Sequence, residues 1–167
     1  VEGLKTFDLS KATTIGDMAF FECRALEGLD ISSATSIGNQ AFYRCVSIDD
    51  IKFGPLSILG DQAFMYCIAL ESITVPDSVT AIQTGAFMAC YNLVEATLGA
   101  GLEKISNDVF FECYSLEVVD IMSKLTGIGG WAFYDCDVLT TINYAGTDAD
   151  WNKLTFGDYW DENSGAY

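Results

Sequence analysis

The sequence has no histidine, only two prolines and few cations: 8 Lys and Arg stand against 24 Asp and Glu, which gives a net charge of −16. Without histidine the chain cannot build Ser-His-Asp or Cys-His nucleophiles, imidazole zinc sites or the usual switch near neutral pH. The shortage of Lys and Arg argues against nucleic-acid binding, because these side chains supply most of the affinity for phosphate. No apolar run approaches the roughly 20 residues that span a bilayer, so we expect no membrane insertion.

What the sequence does have is an internal repeat. An Ala-Phe or Val-Phe pair recurs at successive steps of 22, 22, 23, 23 and 23 residues, and a cysteine follows each Phe by three positions. The phenylalanines and their cysteines are Phe20 and Cys23, Phe42 and Cys45, Phe64 and Cys67, Phe87 and Cys90, Phe110 and Cys113, and Phe133 and Cys136. A period this short indicates a solenoid, because one such unit cannot bury its own apolar side and copies must stack.

Each repeat also contains a short alternating triplet that predicts one strand, with its outer residues buried and its middle residue in solvent. The triplets are Phe7–Leu9, Leu29–Ile31, Ile51–Phe53, Ile73–Val75, Ala96–Leu98, Val119–Ile121 and Ile142–Tyr144. We therefore predict an α/β solenoid with one short parallel strand per repeat and with short helical or irregular turns on the opposite face. Residues 1–145 hold about six to seven repeats of 22–23 residues, and the aromatic-rich segment 146–167, which lacks the repeat frame, is predicted to cap the last one.

Six cysteines permit a disulfide framework, but their spacing favours another interpretation. All of them occupy one repeat position beside a buried Phe and Leu, where a small side chain packs inward. Parallel Cβ vectors in adjacent coils leave the Cβ atoms farther apart than the usual ~3.8 Å of a disulfide. We expect structural free thiols, no metal site, since a ladder cannot wrap a tetrahedral ion, and no catalytic thiol, since no basic partner recurs nearby.

Carboxylates are the remaining candidates for chemistry. The clusters are Asp49 with Asp50, Asp148 with Asp150, and Asp158 with Asp161 and Glu162. Acid catalysis needs a groove and one carboxyl group in apolar surroundings, and calcium needs several oxygen ligands on one loop. Because these clusters lie in predicted loops or in the cap of a strongly acidic chain, we predict solvated surface charge, no catalytic residue and no cofactor.

The strand face is the predicted binding surface, because repeat solenoids present their variable positions there. The predicted contact residues, taken from the middle of each triplet and the position before it, are Asp8, Asp30, Asp50, Lys52, Thr74, Glu95, Thr97, Asp120 and Asn143. No aromatic or Arg side chain, the usual hot-spot residues, is among them. An interaction there would be polar and would favour a basic partner; a merely solvated sheet face is the alternative.

A second column of large side chains directly follows the repeated phenylalanines. Its members are Phe21, Tyr43, Met65, Met88, Phe111 and Tyr134. We expect them to stack on one another along the second face. If they are exposed instead, they form an apolar stripe large enough to be an interface.

The repeat frame resembles the BspA-like, or Treponema-type, leucine-rich repeats, whose units read Leu-x-x-Ile-x-Ile-Pro-x-x-Val-x-x-Ile-Gly-x-x-Ala-Phe-x-x-Cys. The stretch from Leu70 to Cys90 is close to that pattern throughout, and residues 4 to about 145 repeat it six times. Departures are small: Gln83 and Ser106 replace the turn glycine, and Val109 replaces Ala. The resemblance implies a right-handed leucine-rich-repeat coil from a microbial surface or secreted protein that binds host matrix proteins or other cells.

The combined hypothesis is a non-catalytic, extracellular protein-recognition or adhesion module of a bacterial cell-surface or secreted protein. Its partner would be a host matrix protein, another cell-surface protein or a second copy of itself, and its signal or anchor would lie outside this chain. A structural spacer or self-associating stalk that carries another functional domain is the alternative. An enzyme is the least favoured hypothesis, and fold alone does not decide among them.

Overall fold

The predicted solenoid is confirmed: in the computed structural model, which describes residues 3–164, the repeats stack as coils with parallel strands. The strands predicted from the triplets are β2 (Leu29–Ile31), β4 (Ile51–Phe53), β6 (Ser72–Val75), β8 (Glu95–Leu98), β10 (Val118–Ile121) and β12 (Thr141–Tyr144). They form two sheets, a pair of β2 and β4 and a four-stranded sheet in the order β12-β10-β8-β6. We call the exposed side of these two sheets the strand face.

The seventh triplet, Phe7–Leu9, does not form a strand, so that part of the prediction is wrong. Leu9 is buried as expected, but Phe7 is 54% exposed. The main chain of this segment meets the next coil at Lys5, whose carbonyl accepts from the Glu27 amide at 2.9 Å. One such bond does not make a strand pair, which needs bonds repeated along both chains.

Each coil has a second strand of two residues, where the sequence predicts only a turn. These strands are β1 (Thr14–Ile15), β3 (Ser36–Ile37), β5 (Ile58–Leu59), β7 (Ala81–Ile82), β9 (Lys104–Ile105), β11 (Gly127–Ile128) and β13 (Thr155–Phe156). They form one unbroken seven-stranded parallel sheet, which we call the second sheet. Two residues are too short a stretch for alternation to be visible in the sequence.

The third side of each coil is a run of turns, which we call the turn side. Its main chain is bonded from coil to coil: the Phe20 amide donates to the Ala41 carbonyl and the Glu22 amide to the Tyr43 carbonyl, both at 2.8 Å. Within residues 3–164 the repeats contain irregular turns and no helix. The short helix α1 (Asp148–Trp151) follows the last repeat.

The repeated phenylalanines form a stack through the centre of the solenoid. From Phe42 to Phe133 each of the five side chains is 0% exposed. Neighbouring rings are nearly parallel, with centroids 5.3 Å apart for Phe42 and Phe64 and 5.8 Å apart for Phe87 and Phe110. Burial of each ring contributes roughly 1.5–3 kcal/mol, so this stack is a principal source of stability.

The cysteines occupy the buried packing position that the spacing predicts. All six are free and buried. From the second repeat onward each thiol donates to the carbonyl of the Phe one repeat earlier, as Cys45 does to Phe20 at 3.0 Å and Cys136 to Phe110 at 3.1 Å. Burial raises the pKa of Cys45 to about 12 and raises the pKa values of the four later thiols well above their usual range. Thiols of this kind stay protonated and unreactive at neutral pH.

Outside the core, short polar side chains connect the coils in what we call the Asx ladder. In each step the carboxyl or amide oxygen of one coil accepts from a main-chain amide of the next. The steps are Asp17 to the Asn39 amide (2.7 Å), Asn39 to Asp61 (2.9 Å), Asp61 to Thr84 (3.1 Å) and Asn107 to Gly130 (3.0 Å). Thr84 interrupts the ladder, because its side chain makes no such bond to the Asn107 amide.

The segment after the last repeat extends part of the coil. Strand β13 pairs with β11, and the Phe133 amide donates to the Trp160 carbonyl at 2.7 Å. The Trp160 ring lies edge-on against Phe133, with centroids 6.3 Å apart. The division into 1–145 and 146–167 stays a prediction. No helix between residues 3 and 164 is long and apolar enough to cross a membrane.

Candidate functional site

The strand face brings most of the predicted contact residues into columns. The registers place Asp30 opposite Lys52 in the first sheet. In the four-stranded sheet of the strand face they align Thr74 with Thr97, Thr97 with Asp120, and Asp120 with Asn143. Asp8 lies outside both sheets, because its triplet forms no strand. The column is therefore two short groups separated by the break between β4 and β6.

Within each group, side chains partly satisfy one another. Lys52 Nζ lies 3.9 Å from Asp30 Oδ2, and Asn143 Nδ2 donates to Asp120 Oδ1 at 2.7 Å. The Lys52 side chain is 68% exposed, so its ion pair with Asp30 is screened by solvent and weak. These contacts leave the column polar and hydrated, without an apolar anchor.

Two of the predicted carboxylates also close turns. Asp8 accepts from the Ser10 hydroxyl (2.6 Å) and amide (3.0 Å), and Asp30 accepts from the Ser32 hydroxyl (2.6 Å) and amide (3.1 Å). The bonds from the serine hydroxyls, and then from the serine amides, lower the pKa of both aspartates. Both groups therefore stay ionised well into the acid range and have a local structural role beside any binding role.

The structure adds a row of acids that the sequence interpretation missed. Asp50 and Glu95, the predicted members of the position before each triplet, are exposed. One residue earlier lies a parallel row of exposed carboxylates formed by Glu27, Asp49, Glu71 and Glu117. We call the two rows together the acidic edge. The signal was present, because the added row sits two residues before its triplets in four repeats.

The main chain holds the acidic edge in place. The Val94 amide donates to the Glu71 carbonyl at 2.8 Å, and the Glu117 amide donates to the Val94 carbonyl at 2.9 Å. Lys5 pairs with Glu27 at 3.3 Å. Within residues 3–164, no ion pair involves Glu71, Glu95 or Glu117. Carboxylates at coil spacing therefore face solvent and repel one another, which a cationic partner would relieve.

The predicted acid clusters form no metal site within the described residues. Among residues 3–164, no group of three Asp, Glu or Cys side chains could hold a metal ion. Asp150 instead closes the capping box of α1 with Thr147, and this bonding, helped by Lys124, lowers its pKa to about 2. Burial raises the pKa of Asp161, and a single shifted carboxyl group does not make the pair of groups that acid–base catalysis needs.

The aromatic and methionine column is both stacked and partly exposed. Phe21 stacks on Tyr43 with centroids 4.8 Å apart, and Phe111 stacks on Tyr134 at 5.3 Å. Met65 is 8% exposed, whereas Phe21 is 39% exposed. The predicted stacking is confirmed for these two pairs. Exposure is greatest at the first coil, so the column is not one continuous apolar stripe.

Stacked coils, in-register parallel strands and a leucine and isoleucine core define a leucine-rich-repeat solenoid. The chain belongs to the family described as the BspA type leucine rich repeat region, whose profile matches residues 3–67 and 35–159 in six copies. Leucine-rich-repeat domains generally mediate protein–protein interaction, and their fold is typically non-catalytic. Comparison with functionally curated proteins gives no match.

Solved bacterial structures share this fold. A leucine-rich repeat protein from Bacteroides ovatus matches with a TM-score of 0.67 and 25% identity over 92% of this chain and 45% of its own. The Treponema pallidum leucine-rich repeat protein gives 0.65 and 22% over 87% of this chain and 78% of its own. One from Eubacterium ventriosum gives 0.60 and 23% over 86% of this chain and 45% of its own. The chain thus spans less than half of two of these proteins.

Proposed function

We propose that this chain is a non-catalytic, extracellular protein-recognition module of a bacterial surface or secreted protein, and that it binds a basic protein surface through its strand face and acidic edge. Host matrix and other cell-surface proteins are the partner classes. Family membership supports the interaction role and the surface placement. A spacer that carries another domain is the second candidate, supported by the hydrated, anchor-free character of the strand column.

The observation that carries the proposal is the acidic edge. Asp49, Asp50, Glu71, Glu95 and Glu117 are exposed on successive coils, and the main-chain bonds between coils fix their spacing. A partner with Lys or Arg at matching intervals would meet several carboxylates at once. Electrostatic complementarity of this kind raises association rates and sets specificity, and it weakens with salt because the Debye length is about 10 Å at 0.1 M.

The test measures binding to immobilised extracellular-matrix proteins by surface plasmon resonance. The double variant Glu95→Lys with Glu117→Lys reverses two charges on the acidic edge. We expect it to weaken binding about tenfold or more, and we expect wild-type binding to fall as sodium chloride rises from about 50 mM to about 300 mM. Asp30 is a poorer choice for reversal, because its loss would also open the Ser32 turn.

The matched control is Glu103→Lys with Glu162→Lys, which makes the same change in net charge at two exposed positions away from the strand face. Melting temperatures of both variants must stay near that of the wild type. Equal losses in the two variants would show only a general charge effect. Wild-type binding that neither variant nor salt changes would leave the spacer as the function of this chain.

A further inference from the structure

On the turn side, three residues before the acidic edge along the chain, six side chains from successive coils form a groove of about 290 Å³ that we call the Arg–Tyr groove. It is lined by Arg24, Arg44, Val46, Tyr66, Ile68 and Tyr91. Both arginines of the chain are among them. Tyr and Arg are the residues most enriched at interaction hot spots, and the strand face has neither in its contact columns.

The groove has a cationic end built on aromatic rings. The Arg44 guanidinium carbon lies 5.2 Å from the Tyr66 ring centroid and 5.7 Å from the Tyr43 centroid. Glu22 bridges the two arginines, with one oxygen 3.4 Å from Arg24 Nη2 and the other 3.3 Å from Arg44 Nη1. Stacking and the Glu22 bridge place the Arg44 guanidinium, while Arg24 is positioned by the Glu22 bridge alone, so Arg44 is the better preorganised of the two for a ligand.

Donor capacity is left over at this end. Each guanidinium has five N–H donors and directs one nitrogen to Glu22. The Arg24 and Arg44 side chains are 53% and 43% exposed, so the other donors face solvent. With two arginines and one glutamate the local charge is 2 − 1 = +1, against −16 for the whole chain. The groove is a local cationic site on an anionic molecule.

The rest of the groove is apolar and aromatic. Val46 and Ile68 are half-buried between the cationic end and Tyr91. Tyr91 stands edge-on to Tyr66, with centroids 6.1 Å apart, and stacks on Tyr114 at 5.3 Å. Glu112 acts electrostatically on Tyr91, so a ligand carboxylate is favoured at the arginine end and disfavoured at the Tyr91 end. The lining therefore orients a ligand, with its carboxylate at the arginine end and an apolar side chain against the rest of the groove.

We propose that the Arg–Tyr groove binds an acidic peptide segment of a partner protein, one in which an Asp or Glu lies next to an aromatic or aliphatic residue. The carboxylate accepts from Arg24 and Arg44 in the charge-assisted, bidentate manner that guanidinium groups favour. The apolar side chain packs on Val46, Ile68 and the Tyr91 ring. The partner is acidic only locally, since the remaining charge of the chain repels a strongly acidic protein.

The test begins with a phage-displayed library of random peptides that is first depleted on immobilised Arg24→Gln with Arg44→Gln, which removes peptides held by the acidic edge, and is then selected on the immobilised wild-type chain. The recovered peptides are expected to carry Asp or Glu next to an aromatic or aliphatic residue. Each is then synthesised and titrated by isothermal calorimetry. We expect Arg24→Gln with Arg44→Gln to weaken binding by at least about tenfold, since both charge-assisted partners of the carboxylate are lost. Arg44→Lys keeps the charge and loses the planar fork. Its affinity for the peptides should lie between that of wild type and that of the double arginine variant.

The matched control is Lys11→Gln with Lys104→Gln, which removes the same charge at exposed positions outside the groove. It should bind the peptides within about twofold of wild type, as should the acidic-edge variant Glu95→Lys with Glu117→Lys. The two proposals can therefore fail separately: loss of binding by the acidic edge does not change peptide binding by the groove, and loss of peptide binding does not change binding by the acidic edge.

Three outcomes would overturn the proposal. The selected peptides could lack acidic residues, or could bind the double arginine variant as tightly as wild type. Sedimentation could instead show that the wild-type chain self-associates and that the arginine variant does not, which would make a second copy the occupant. The melting temperature of each variant is measured, so that a loss of peptide binding caused by unfolding is recognised.

Discussion

The two sheets of the solenoid differ in a way that strand length alone would not predict. The strand face has strands of three or four residues, yet its sheet is split between β4 and β6. The second sheet has strands of only two residues, yet it runs unbroken through all seven. Longer strands offer more main-chain bonds per coil, so the continuity of the second sheet must come from elsewhere.

Coil-to-coil contacts in the segments that follow each of its strands support this continuity. The second sheet is followed along the chain by the Asx ladder and then by the turn side, where the buried phenylalanines stack. The split in the strand face coincides with a change in loop length: three residues lead from Phe53 to Leu56, but four lead from Val75 to Val79. Insertions are absorbed on the strand-face side, which leaves that side free to vary and the other side to fix the register.

The largest effect is expected from substitutions that compare the phenylalanine stack with the strand face. Phe87→Ala empties a fully buried place in the phenylalanine stack and should lower the free energy of unfolding by about 3–5 kcal/mol. Phe53→Ala makes the same chemical change in β4, beside the split, where the ring is only half-buried. It should cost about half as much, because less surface is lost from the core. Urea unfolding followed by circular dichroism measures both, and equal costs would contradict the asymmetry.

The next test is the local stability of the strands themselves. Strand β4 pairs with β2 on one side only, whereas β8 is paired with β6 and β10 on its two sides. Native-state hydrogen exchange should therefore be at least about tenfold faster for the amides of β4 than for those of β8, in line with a lower free energy of local opening. Equal protection in the two strands would show that the split has no energetic consequence.

Much of this architecture can be predicted from the sequence, and the reason is periodicity with burial. The phenylalanines, the cysteines and the apolar ends of the triplets recur every 22 or 23 residues, so one interpretation fits the copies, and six of the seven triplets form strands. The Asx ladder also has a fixed spacing, but its members change between Asp, Asn, Thr and Gly. A bond from a side chain to the next coil's main chain also leaves no hydrophobic signal.

The Arg–Tyr groove could not be predicted in the same way. Its residues come from four coils, and positions such as that of Val46 hold Arg24, Ile68 and Tyr91 in the neighbouring repeats. The sequence shows these as unrelated variable positions, because only stacking brings them side by side. The acidic edge is intermediate between these two cases. Its spacing is regular, but its outer row lies outside the strand triplets from which the contact residues were predicted.

A third test repairs or breaks the Asx ladder. Thr84→Asn supplies an amide oxygen to the Asn107 amide and should raise the free energy of unfolding by about 1 kcal/mol, the usual net value of one hydrogen bond. Asp61→Ala removes the acceptor of the Thr84 amide, now 3.1 Å away, and should lower it by a similar amount. Urea unfolding measures both. If neither variant differs from wild type, the ladder does not hold the second sheet in register.

The smallest effect is expected at Asp108, on the turn side. This residue has a φ of 58°, and burial raises the pKa of its carboxyl above the usual value. A raised pKa means that folding favours the protonated form. Any stability from this group is therefore present below the unfolded pKa of about 3.9 and is lost as pH rises through the folded pKa. At pH 7 the native chain carries a carboxylate that folding disfavours.

Asp108→Asn removes that charge and keeps a side chain that tolerates the left-handed region. It should raise the free energy of unfolding by at most roughly 0.5 kcal/mol at neutral pH, because solvent screens a charge that is only partly buried. The gain should vanish near pH 3, where the wild-type carboxyl is protonated in both states. Asp137→Asn, an exposed position, serves as the control for the lower net charge. An equal gain in the free energy of unfolding for both variants would assign the effect to overall charge repulsion and not to the burial of the Asp108 carboxyl.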